Sequence, residues 1–83
     1  MRIKVFGVGC AACRRMVADV QRILEKNGWT HLEVEYIQDV ERIMEYHVMS
    51  TPALVIDDQV VMVGYRGPSK IEQAIRDSLQ NLS

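Results

Sequence analysis

Ala53-Leu54-Val55-Ile56 is a run without a polar member. A strand of that kind offers no face to water, so the sheet that holds it needs cover on both sides. Three helical patterns can supply the cover. In the first, Met16, Val17, Val20, Ile23 and Leu24 recur at three and four residues, while Arg14, Arg15, Asp19, Gln21 and Arg22 fill the opposite face. Asn27-Gly28 closes it, because glycine accepts the left-handed conformation past a last turn. The second is short: Asp39 is its predicted N-cap, with Val40, Ile43, Met44 and His47 along one side. Pro68 opens the third, whose stripe is Ile71, Ala74, Ile75, Leu79 and Leu82.

The remaining strands read from local pattern. Residues 2–7 are short, β-branched and aromatic, and end in glycine. Residues 31–37 alternate Leu32, Val34 and Tyr36 against Glu33 and Glu35, the signature of a half-wet strand at a sheet edge. Asp57-Asp58-Gln59 predicts a tight hairpin turn, with residues 60–63 as the returning strand. The order βαβαββα predicts an α/β fold: a four-stranded mixed sheet with helices on both faces. Strands separated by helices are expected to pair in parallel through right-handed crossovers, and the last two to form an antiparallel hairpin. With 83 residues, a single domain over 1–83 is expected.

Composition narrows the function. A quarter of the residues are charged, yet the formal net charge is −1, which argues against nucleic acid or an anionic membrane as partner. No apolar run approaches the roughly 18 residues of a membrane helix, and no basic, apolar, small-residue leader opens the chain, so a cytoplasmic protein is expected. There are 2 cysteines, Cys10 and Cys13, too few for a disulfide scaffold and close enough for redox chemistry or a metal.

Their placement carries the chemistry. Cys10 falls where the first strand gives way to the first helix, and unpaired N–H groups and the positive end of the helix dipole favour an anion there. The thiolate is the form that attacks a disulfide, so this position lowers the thiol pKa, to about 7 or below against about 8.5 for a free thiol. Cys13, one turn on and more shielded, is placed to resolve a mixed disulfide. Ala11 and Ala12 between them bring neither proline nor charge, and Arg14 and Arg15 read as solvated.

A second motif, Ser50-Thr51-Pro52-Ala53, precedes the buried strand. Alone it fits a proline at a strand's first residue. Together with Gly7-Val8-Gly9-Cys10-Ala11-Ala12-Cys13 it resembles the thioredoxin superfamily, in particular its compact subgroup of small redox-active disulfide proteins, over nearly the whole chain. The resemblance implies a thioredoxin-like fold and a cis Thr51–Pro52 bond facing the cysteines. It implies that Thr51, Pro52, Gly9 and Ala11 contact substrate, and that Cys10 and Cys13 are catalytic. It further implies disulfide-containing protein substrates, a thioredoxin-reductase-type electron donor, no bound cofactor or metal, and a monomer. The sequence departs from ordinary thioredoxins in three places. Gly9 stands where they carry tryptophan, Ala11-Ala12 where they carry Gly-Pro, and Lys4 where they carry a buried acid. Lys4 is expected to snorkel to the surface. The charged pattern that binds glutathione is not evident.

The same cysteine loop also looks like the Gly-Met-x-Cys-Ala-Ala-Cys loop of heavy-metal-associated domains, whose two thiolates suit Cu(I). Those domains follow their first helix with two consecutive strands, whereas residues 39–47 read as a helix after one strand, and Val8 replaces the methionine. A redox-dead adaptor is a third reading. A mononuclear zinc site is disfavoured, since His31 and His47 lack a second histidine at ligand spacing. Trp29 is expected over the core edge, and His47 packed. Met44, Met49 and Met62 read as core filler, with Met49 near enough to Pro52 to line a groove. Tyr65 and Arg66 are either substrate contacts or solvated loop.

Overall fold

The structure, a computed structural model, describes residues 1–80. Its elements are β1 (Ile3–Phe6), α1 (Ala11–Lys26), β2 (Val34–Ile37), α2 (Val40–Glu45), β3 (Ala53–Ile56), β4 (Gln59–Val63) and α3 (Pro68–Gln80). Leu82, assigned above to the last helical stripe, lies outside the described residues.

The strands form one sheet in the order β2-β1-β3-β4. Side chains alternate between its faces and build two cores. Ile3, Val5, Leu54 and Ile56 pack with Met16, Val20, Ile23 and Leu24 of α1 and with Ile71 and Ile75 of α3. Phe6, Ala53 and Val55 face the other way, against Ile37 and Ile43, with Tyr46 and Val48 at the margin. The Phe6 and Tyr46 rings meet edge to face at 4.8 Å between centroids. All four residues of β3 are buried, so the polar-free run is covered from both sides.

One expectation about the sheet is corrected. β1 and β2 are parallel, but β3 runs antiparallel to β1 and does not neighbour β2. The reason lies in where the connection begins and ends. Ile37, the end of β2, and Ala53, the start of β3, both pair with Phe6. The chain therefore leaves and re-enters the sheet at the same end. A parallel crossover must carry it back along the strands. The six residues of α2 rise only about 9 Å, and no such return is made.

The short α2 also corrects three side-chain expectations. It ends at Glu45 and buries only Ile43. His47 lies past its end with φ 58° and is exposed, not packed. Met44 and Met49 are 65% and 94% exposed, so of the three methionines read as filler only Met62 enters the core. The hairpin turn is tighter than expected. Asp57 and Asp58 alone form it, both at positive φ, as a two-residue turn between twisted strands requires. Trp29 packs at the margin of the larger core with the Arg76 guanidinium 5.3 Å from its ring. The Lys4 side chain, 12% exposed, runs out over the smaller core to Asp58, 3.5 Å away.

Candidate functional site

Because β3 is reversed, four chain segments converge on one end of the sheet. They are the exit from β1 through Gly7, the exit from β2 at Gln38, the approach to β3 through Thr51 and Pro52, and the exit from β4 at Gly64. Gly64 seals the last two together, its N–H donating to the Pro52 carbonyl at 2.7 Å.

Cys10 is the N-cap of α1. Its backbone is extended (φ −74°, ψ 163°), and its Sγ accepts the Cys13 N–H at 3.2 Å. Its carbonyl takes the first intrahelical bond, from Arg14 N at 3.1 Å. A cap residue normally accepts through a side-chain oxygen; here a sulfur takes that place. Cys10 and Cys13 are joined as a disulfide with Cα atoms 5.1 Å apart. The pair is asymmetric: Cys10 is exposed, whereas Cys13 is wholly buried. Ala11 is exposed in the first helical turn, carrying no side chain that could crowd Cys10.

Three groups outside the expected site hold the loop before Cys10: the Ile37 carbonyl, the Tyr36 hydroxyl and the Arg14 guanidinium. Gly7 N–H donates to the Ile37 carbonyl at 3.0 Å. A Cβ on Gly7 would sit 2.6 Å from both Cβ and Sγ of Cys13, so only glycine fits beneath the buried sulfur. Gly9, at φ 89°, donates its N–H to the Tyr36 hydroxyl at 3.0 Å and accepts the Arg14 guanidinium on its carbonyl at 3.2 Å. Arg14 is therefore folded back on the loop instead of ranging freely in solvent. Val8 between the glycines is 57% exposed. The signal available in the sequence was the pair of glycines ahead of Cys10; nothing in the alternation of β2 distinguished the Tyr36 hydroxyl from its ring.

On the β3 side, the Thr51–Pro52 peptide is cis. Pro52 is buried and Thr51 half-buried. Among the described residues, none hydrogen-bonds to the Thr51 backbone. Tyr65 does not stand free in its loop: its hydroxyl donates to the buried Asp19 on α1 at 2.5 Å, and the Arg15 guanidinium lies 5.8 Å from its ring centre. The hydrogen bond to Asp19 raises the Tyr65 hydroxyl above its ordinary pKa. Arg66 is exposed.

A mixed sheet covered by helices on both faces, with an exposed and a buried cysteine joined at a helix start, defines a dithiol protein of the thioredoxin-like class. The comparisons agree. The family model described as "Thioredoxin domain" matches residues 1–76. A thioredoxin of Methanocaldococcus jannaschii is 34% identical over 62 residues, covering 75% of this chain and 70% of that protein. A thioredoxin of Methanothermobacter thermautotrophicus is 27% identical over 64 residues, covering 77% and 82%. The chain belongs to the thioredoxin family, and with its Cys10–Cys13 disulfide it is a thiol–disulfide oxidoreductase.

Proposed function

We propose that the protein reduces disulfides in other proteins, with Cys10 as the attacking thiolate and Cys13 as the resolving thiol. The observation that carries this reading is the exposed Cys10 sulfur accepting the Cys13 N–H at the start of α1. The same N–H and the helix dipole stabilise a thiolate there, which lowers the thiol pKa and supplies the nucleophile at neutral pH. Cys10 Sγ attacks one sulfur of the substrate disulfide, and the other leaves as a thiolate and takes up a proton. Cys13, having lost its proton, then attacks Cys10 Sγ, and the second substrate thiol departs. Two electrons and two protons have passed to the substrate, and the protein keeps the Cys10–Cys13 disulfide. Burial of Cys13 supports the order of events, because the visiting disulfide meets only Cys10.

Substrate binds in this reading as an extended segment along Thr51, whose unpaired backbone is suited to main-chain hydrogen bonds. Pro52, Gly9 and Ala11 shape the contact. Exposed Val8 and Met49, at 57% and 94%, lend apolar surface near it. A thioredoxin-reductase-type donor restores the dithiol, and the chain works as a monomeric, single-domain, cytoplasmic protein. No helix among the described residues is long and apolar enough to cross a membrane. The element order supports redox exchange over copper carriage, since α2 follows β2 where the metal-carrier pattern needs a second consecutive strand.

Insulin reduction driven by dithiothreitol tests the reading. Wild type should accelerate it, Cys10→Ser should abolish the acceleration, and Cys13→Ser should accumulate a mixed disulfide through Cys10, visible by mass. Equal, mild losses in the two variants contradict the assigned roles. So does a Cys10–Cys13 pair that does not cycle reversibly between about −150 and −350 mV.

A further inference from the structure

We propose that Tyr36 is a positioning residue for the dithiol, acting through Gly9 to fix the backbone from which Cys10 presents its sulfur. The inference rests on the redox reading above and adds a residue to it.

Tyr36 stands on β2, next to Ile37, and β2 thereby grips the cysteine loop twice. The Ile37 carbonyl takes the Gly7 N–H at 3.0 Å, and the Tyr36 hydroxyl takes the Gly9 N–H at 3.0 Å. The ring itself lies against Gly7: its Cε1 is 3.2 Å from the point where a Gly7 Cβ would be, the same point that Cys13 Sγ approaches at 2.6 Å. The phenol thus packs against Gly7 with its ring and anchors the loop at Gly9 with its oxygen. Gly9 is the residue immediately before Cys10, and both its polar groups are engaged, the N–H by Tyr36 and the carbonyl by Arg14. Among the described residues, Arg14 is the charged group bonded to that peptide. Gln38, just past the end of β2, is uncharged, its Oε1 3.7 Å from where a Gly9 Cβ would be.

The consequence concerns the reduced state. A thiolate at Cys10 is favoured to the extent that its sulfur is held over the Cys13 N–H. Backbone held in advance contributes without an ordering cost when the charge forms. Gly9 has no side chain of its own to limit its conformation. Loss of the Tyr36 hydroxyl frees one of its two tethers, and the thiolate, and with it the reduced form, is less favoured.

Tyr36→Phe removes that oxygen and keeps the ring. Two readouts on the purified, reduced protein test its role. The midpoint of the pH profile of Cys10 alkylation by iodoacetamide should rise by about half a unit, with the rate near pH 6, below both midpoints, falling about threefold. Near pH 8.5, above both midpoints, the equilibrium with glutathione should move about threefold toward the protein disulfide, a potential about 14 mV more negative. Tyr46→Phe is the control: it removes a hydroxyl bonded to Asp58, away from the sulfurs, and should move neither value. A Tyr36→Phe protein with wild-type midpoint and wild-type equilibrium overturns the proposal. So does an equal shift in Tyr46→Phe, or a Gly9 amide that exchanges with solvent in wild type as fast as a free peptide. Wild type without a reversible dithiol sinks the redox reading itself. Wild-type cycling with an unmoved Tyr36→Phe sinks only the role of Tyr36.

Discussion

Gly7 leaves no room for a methyl group, with Cys13 Cβ and Sγ both 2.6 Å from where one would begin. Neither obstacle is the far end of a flexible chain, since the sulfur is fixed by its disulfide and the helix start. Gly7→Ala should therefore push β1 and α1 apart at the dithiol, at a cost of about 1–3 kcal/mol, the range for overpacking a well-filled interior. Urea midpoints of the oxidised protein measure it; a midpoint equal to wild type refutes the steric argument. From the sequence, Gly7 was legible as a strand end and as part of the glycine motif ahead of Cys10, not as a steric requirement. Its steric role depends on how α1 folds back over β1, which no local pattern contains. The same holds for Arg14, whose helical position says it is polar but not that it turns back to the Gly9 carbonyl. The two cysteines were legible because their chemistry follows from residue type, spacing and a helix start.

Between elements, α1 and α3 are joined at the edge of their apolar contact by one carboxylate. Glu72 accepts from Lys26 at 3.2 Å, from Arg76 at 3.0 Å and from Asn27 at 3.4 Å. The Lys26 hydrogen bond above all, then that of Arg76, holds the Glu72 carboxyl below its ordinary pKa of 4.5. A carboxyl depressed in the folded state stabilises it at every pH above the unfolded value and loses that contribution as pH falls through the folded one. Stability should then be level near pH 6 and decline below about 4.5, with a shallower decline in Glu72→Gln. Urea midpoints at pH 6 and pH 3 decide it, and parallel curves for the two proteins would remove Glu72 from the explanation. Asp58, held low chiefly by the Tyr46 hydroxyl and then by Lys4, adds an acid-side contribution of the same sign. The helices and strands were readable from periodicity, and the Asp39 cap from its residue type. The length of α2 was not. Val40, Ile43, Met44 and His47 keep helical spacing past the point where the backbone turns, and Val40 and Met44 are 55% and 65% exposed.

Across the molecule, β1 and β3 occupy the middle of the sheet while β2 and β4 form its edges. The middle strands are buried on both faces and paired on both sides; β4 exposes four of its five residues. Amide exchange should be slowest in β1 and β3 and faster in β4, because the last contacts to open are those with the most burial around them. Exchange in β4 as slow as in β3 would contradict that ranking. Cover on both faces was legible at this scale from one polar-free run. The direction of β3 was not, because hydrophobic pattern is blind to strand polarity, and only the pairing of Ile37 and Ala53 with the same residue, Phe6, settles it.

Strand reversal also gives the protein an inert pole. The Asp57-Asp58 turn and the start of β1 lie together at the sheet's other extremity, stitched by Arg2 N–H to Asp57 Oδ1 at 2.9 Å and by Asp57 N–H to the Arg2 carbonyl at 3.0 Å. A fluorophore, an affinity handle or a neighbouring polypeptide joined ahead of Met1 would hang from that pole, a full strand's length from the sulfur that meets solvent.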